Sequence, residues 1–133
     1  MLLKAVLIIS VTTTFAFESQ KSTAEIFDAW KIRIEQEHPE CAKTSGVSDE
    51  ELDGLFRQHR LSSSRNFKCY LHCIEKVFNF VNDDGSLKKQ EISDGVEKAT
   101  VDVVDLCGAG VGDATDMCEK AYTFLTCLLN LYV

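Results

Sequence analysis

From residue 22 onward, apolar residues recur at intervals of three and four, and clusters of Pro, Gly, Ser, Asn and Asp separate the periodic stretches. Ser22-Thr23-Ala24-Glu25 has the form of a capping box, and Ile26, Phe27, Trp30 and Ile34 follow on one side of a helix ending near His38-Pro39. Ser48-Asp49-Glu50-Glu51 repeats the signal ahead of Leu52, Leu55 and Phe56, which predicts a shorter helix to about His59, then a loop at Ser62-Ser63-Ser64. A third helix is expected from about Asn66 to Val81, with Tyr70, Ile74, Val77, Phe78 and Val81 on its apolar face and Lys68, His72, Glu75, Lys76 and Asn79 opposite. Asn82-Asp83-Asp84-Gly85 breaks it. Lys88 to Thr100 is poorly periodic and contains Gly95, so it is divided from a helix carrying Val96, Ala99, Val103 and Cys107. After the break at Gly108, Gly110 and Gly112, Asp113 opens a last helix to about Asn130, with Ala114, Met117, Ala121, Phe124, Leu125 and Leu128 on its apolar face. The pattern predicts an all-α chain, a compact bundle of about six helices.

The first 16 residues read differently. Lys4, an apolar stretch from Leu2 through Val11, and Thr14-Phe15-Ala16 at a small-residue cleavage site form a secretory signal peptide at 1–16, followed by a single domain at 17–133. The apolar stretch is too short to span a bilayer, and no later run of about 18 apolar residues exists, so no stable membrane anchor is expected. One Pro and seven Gly are too few for a fold built on many tight turns. With 14 Lys plus Arg against 21 Asp plus Glu the net charge is −7, and loss of Lys4 makes it −8. Such a balance argues against nucleic acid and favours a secreted chain that is a monomer or weak homodimer.

In an oxidising compartment the six cysteines become the main structural device. Their pattern is C-x27-C-x3-C-x33-C-x10-C-x8-C, from Cys41 to Cys127. Cys69 and Cys73 stand one helical turn apart with Cβ atoms about 5 to 6 Å apart, whereas a disulfide needs about 3.5 to 4.5 Å. Cys118 and Cys127 fall on roughly opposite flanks of the last helix. Excluding both local pairs leaves ten of the 15 connectivities open. Each of the ten ties the third and last helices to other elements.

C-x3-C, a long gap and C-x8-C in an acidic helical chain of this length resemble the insect odorant-binding and pheromone-binding proteins of the six-cysteine type, as does the text from Cys118-Glu119-Lys120-Ala121-Tyr122 to Cys127. The gap of 33 is short for that family, a departure that bears on the fourth and fifth helices. The resemblance implies three disulfides, Cys41 with Cys73, Cys69 with Cys118 and Cys107 with Cys127, around a hydrophobic cavity. A void of about 300 Å³ would cost about 7 kcal/mol at ~24 cal/mol per Å³, and three disulfides at ~2 to 4 kcal/mol each offset it. The candidate ligand-binding residues are the inward positions Ile26, Trp30, Leu52, Leu55, Phe56, Ile74, Val77, Phe78, Val103, Met117, Phe124, Leu125 and Leu128. Met117 stands out because a thioether adapts to varied guests. The apolar tail after Cys127 is expected to pack on the body or close the cavity wall, with Tyr132 as a hydroxyl donor to a ligand.

The resulting expectation is a secreted carrier that binds a small hydrophobic molecule (odorant, pheromone or lipid-derived compound) noncovalently, makes transient contact with a chemosensory receptor, and is not an enzyme. The alternative is a secreted helical effector acting through its exterior. No cofactor or metal is expected: Cys69, His72 and Cys73 belong in disulfides rather than a zinc site, and a calcium loop at 80–91 would begin on Phe80, which has no side-chain oxygen. His38, His59 and His72 bear on a pH switch of the kind some pheromone-binding relatives use. Their placement argues against it, since His72 falls on a polar face and His59 at a helix end that favours its charge. Asp102 and Asp105 read as solvated, and no Ser-His-Asp arrangement can be assigned.

Overall fold

The computed structural model describes residues 21–132, so the expected signal peptide lies outside the described residues. Among these, seven helices follow in order: α1 (Thr23–Glu37), α2 (Glu40–Ser45), α3 (Asp49–Gln58), α4 (Arg65–Val77), α5 (Lys89–Gly95), α6 (Val101–Ala109) and α7 (Met117–Asn130). The single β feature among them is an isolated antiparallel bridge between Val81 and Leu87.

Most helix starts are fixed by side-chain caps. Ser22 accepts from the Glu25 amide, Ser64 from Phe67, Thr100 from Val103 and Asp116 from Glu119. At α3 the box is complete, with Ser48 Oγ accepting from Glu51 N and Glu51 Oε1 accepting from Ser48 N. Glu51 also accepts from Ser62 Oγ at 2.6 Å and from Ser64 Oγ, which fastens the loop before α4 to the start of α3. Those hydrogen bonds push its carboxyl down to about 2.

Four features depart from the periodicity, the first being that α6 begins only at Val101, which leaves Val96 as the C-cap of α5 and Ala99 in the segment between them. α2 is additional, opened by Pro39 and closed by Gly46 at φ +73°. α4 stops at Val77, because Asn79 takes φ +62° and turns the chain toward the Val81–Leu87 bridge. α7 begins at Met117 rather than near Asp113, since it is Asp116 that satisfies the free amides of its first turn.

The disulfides join Cys41 to Cys73, Cys69 to Cys118 and Cys107 to Cys127, with Cα separations of 5.6, 4.6 and 5.5 Å. This is the partition implied by the family resemblance. α4 is thereby bonded to α2 and α7, and α7 in turn to α6. α4 also packs extensively along α7, whereas α1, α3 and α5 carry no crosslink.

The core has two parts. One gathers Phe27, Ile34, Leu55, Phe56, Phe67, Tyr70, Leu71 and Ile74 with Cys41 and Ala121. The other gathers Phe80, Ile92, Ala99, Val104, Cys107, Phe124 and Leu128. Trp30, Phe78, Leu125 and Tyr132 pack against both and so form the seam.

Candidate functional site

A cavity of about 100 Å³ lies at this seam. α1 contributes Ile26, Phe27, Trp30 and Ile34, and α3 contributes Leu55 and Phe56. The facing wall is Tyr70, Leu71 and Ile74 from α4 with Leu125, Leu128 and Leu129 from α7, completed by Val96 and Tyr132. The wall divides mechanically: α4 and α7 are bridged by Cys69–Cys118, whereas α1 and α3 are held by packing and hydrogen bonds.

Among the described residues, no charged side chain lines this space. Its phenols stay un-ionised, since burial and the nearby Glu35 carboxylate raise the pKa of Tyr70, and burial with Glu97 pushes Tyr132 up to about 12. An apolar, uncharged lining of this kind favours neutral guests, because an ion would lose its hydration without compensation.

The tail is anchored at this wall. Tyr132 donates its hydroxyl to the Glu97 carbonyl at 2.5 Å, and its own carbonyl accepts from Thr23 Oγ1 at 2.7 Å. Lys21 pairs with Glu97 at 3.1 Å nearby in sequence to Thr23. α1, the segment before α6 and the end of the chain are thus tied by polar contacts. The Tyr132 proton is already engaged, which leaves that hydroxyl as an acceptor.

Eight of the expected ligand-binding residues surround the cavity: Ile26, Trp30, Leu55, Phe56, Ile74, Leu125, Leu128 and Tyr132. The other six lie elsewhere. Leu52 and Val77 pack against the first core cluster and Phe78 against both, while Val103 packs on the second and Phe124 is fully inside it. Met117 lies against the turn before α5, where a Cβ on Gly85 would come within 2.5 Å of its sulfur. Facing inward does not separate a void-lining side chain from one in solid packing. Phe27, Ile34, Tyr70, Leu71, Val96 and Leu129 line the cavity without having been singled out as ligand contacts, although Phe27, Ile34 and Tyr70 lay on predicted apolar faces.

None of the three histidines lines the cavity. His59 caps α3 and lies 4.3 Å, ring to ring, from Phe27. Burial, with a smaller contribution from Lys76, lowers the pKa of His72. Cys69 and Cys73 are both consumed in disulfides, which rules out a zinc site built on them with His72.

Comparison with known proteins places these observations. Residues 23–130 match the PBP/GOBP family model. General odorant-binding protein 57c of Drosophila melanogaster is 24% identical over 102 residues, covering 70% of this chain and 68% of that protein. General odorant-binding protein 19d of the same organism is 26% identical over 99 residues, covering 67% of this chain and 65% of that protein. The chain therefore spans about two thirds of the length of these curated relatives.

Proposed function

The chain belongs to the PBP/GOBP family, and from that premise we propose that it is a secreted carrier whose cavity between α1, α3, α4 and α7 takes up small, neutral, hydrophobic molecules. The observation that carries this reading is the pocket's lining, almost wholly hydrocarbon and set where two core clusters meet. Burial of a guest's apolar surface supplies the affinity at about 25 cal/mol per Å². Residues 1–16 act as the signal peptide and 17–133 as the carrier domain. The net charge of −7 is in keeping with a monomer or weak homodimer.

Size sharpens the proposal. An empty void of this volume costs about 2.4 kcal/mol at ~24 cal/mol per Å³, well within what the disulfides contribute. A cavity of about 150 Å³ is known to hold benzene, so larger guests require the wall to yield. The uncrosslinked α1 and α3, with the tail at Tyr132, form the side that yields, while Cys69–Cys118 holds the α4–α7 side fixed.

Displacement of an environment-sensitive fluorophore from delipidated protein tests the reading. Saturable displacement by neutral apolar compounds is expected in the wild type and is lost in Leu125→Trp, which fills the space. No displacement, or displacement undiminished in Leu125→Trp, overturns it.

A further inference from the structure

A second pocket, of mixed polar and apolar lining and about 550 Å³, is bounded by Glu75 of α4, the 84–87 turn, Lys89 of α5, the end of α6 with its following loop, and Lys120 of α7. Most of its charged groups are exposed and already engaged. Lys89 Nζ pairs with Asp105 at 2.5 Å, and Asp84 accepts from the amide and hydroxyl of Ser86 at 2.9 and 2.6 Å.

Glu75 differs in kind. It is 3% exposed, and its Oε1 is fully buried with no hydrogen-bond partner among the described residues. Burial alone pushes its carboxyl up to about 8, and none of the charged groups around the pocket, Asp84, Lys89, Asp105 or Lys120, adds to that shift. The other titratable groups of α4, Arg65, Lys68, Tyr70, His72 and Lys76, do not line the pocket. Buried carboxyl oxygens are nearly always satisfied, so this one calls for a donor.

We propose that this pocket binds a small primary amine, whose ammonium group meets the Glu75 carboxylate. An ammonium supplies the missing donor together with the opposite charge, whereas an anion would meet a like charge at Glu75 and an alcohol would leave the carboxylate uncompensated. On binding at neutral pH the ammonium keeps its three protons and the Glu75 carboxyl releases one to solvent. The proposal is independent of the apolar cavity and of the carrier reading.

The test uses n-butylamine, with 1-butanol as its neutral counterpart, followed by NMR at the Gly85, Gly108 and Gly112 amides around the pocket and at the Glu75 carboxyl carbon. Saturable amide shifts are expected with n-butylamine and not with 1-butanol, together with a fall in the Glu75 pKa. Glu75→Gln keeps the shape of the protonated acid and weakens binding about 10- to 100-fold. Ala109→Phe, at an exposed lining position, obstructs the pocket and weakens binding with the carboxyl intact. Equal response to both compounds, unchanged affinity in both variants, absence of saturable shifts, or displacement of the amine by an apolar occupant of the first cavity overturns the proposal. Amine binding without any apolar displacement would sink the carrier reading alone.

Discussion

Replacing Glu75 by Gln removes a titration that works against the fold as pH rises. The carboxyl titrates at about 8 when buried against 4.5 when free, because desolvation penalises its charged form. Between those values the folded chain holds a proton that the unfolded chain has released, so stability falls with pH by about 1.4 kcal/mol per pH unit. The full loss across the window has a ceiling of about 5 kcal/mol, with no further change below 4.5 or above 8. Glu51 and Asp116 titrate the other way, their carboxyls held near 2 by hydrogen bonds, so what they contribute is lost as pH falls below about 4. Both are common to wild type and variant and cancel in the difference. Urea unfolding with the disulfides intact, repeated from pH 4.5 to 8.5, gives the difference curve directly. The wild type should lose stability relative to Glu75→Gln steadily from pH 4.5 to about 8 and level off above it. A flat difference would mean that Glu75 is solvated or paired in the folded protein, and the reasoning from its burial would fail.

Three other perturbations follow from particular contacts. Gly85→Ala meets both a left-handed φ of +85° and the Met117 sulfur, and should destabilise by about 1 to 3 kcal/mol in urea unfolding. Leu128→Ala enlarges the apolar cavity and should cost about 2 to 5 kcal/mol while shifting fluorophore displacement toward bulkier compounds; unchanged selectivity would place the guest elsewhere. Tyr132→Phe removes the hydrogen bond to the Glu97 carbonyl, and stopped-flow displacement should show guest release accelerated severalfold for a loss of about 1 kcal/mol.

How much of this was legible before folding differs from element to element. The caps at Ser22 and Ser48 and the apolar faces that follow them are local signals, and α1 and α3 form where those signals stand. α2 is six residues long, too short for a period to show, and only Pro39 and Gly46 mark it. The helical pattern sets Glu75 on a polar face, beside Lys68, His72 and Lys76. α4 is covered on two sides, by α2 through Cys73 and by α7 through Cys69, and a helix enclosed in this way buries a flank that its own periodicity marks as polar. The apolar site was legible as a set of inward faces. Which members border empty space depends on how the two core clusters meet at Trp30, Leu125 and Tyr132, a property of tertiary packing that no single helix encodes.

The central claim is that a neutral hydrophobic guest sits between the crosslinked α4–α7 wall and the uncrosslinked α1–α3 wall. Intermolecular nuclear Overhauser contacts between a bound apolar compound and methyl-labelled protein test it most directly. The account predicts contacts to the methyls of Ile26 and Leu55 on one side and of Ile74 and Leu128 on the other, at one guest per chain. Contacts confined to exposed methyls such as those of Ile32 and Leu106 would contradict it.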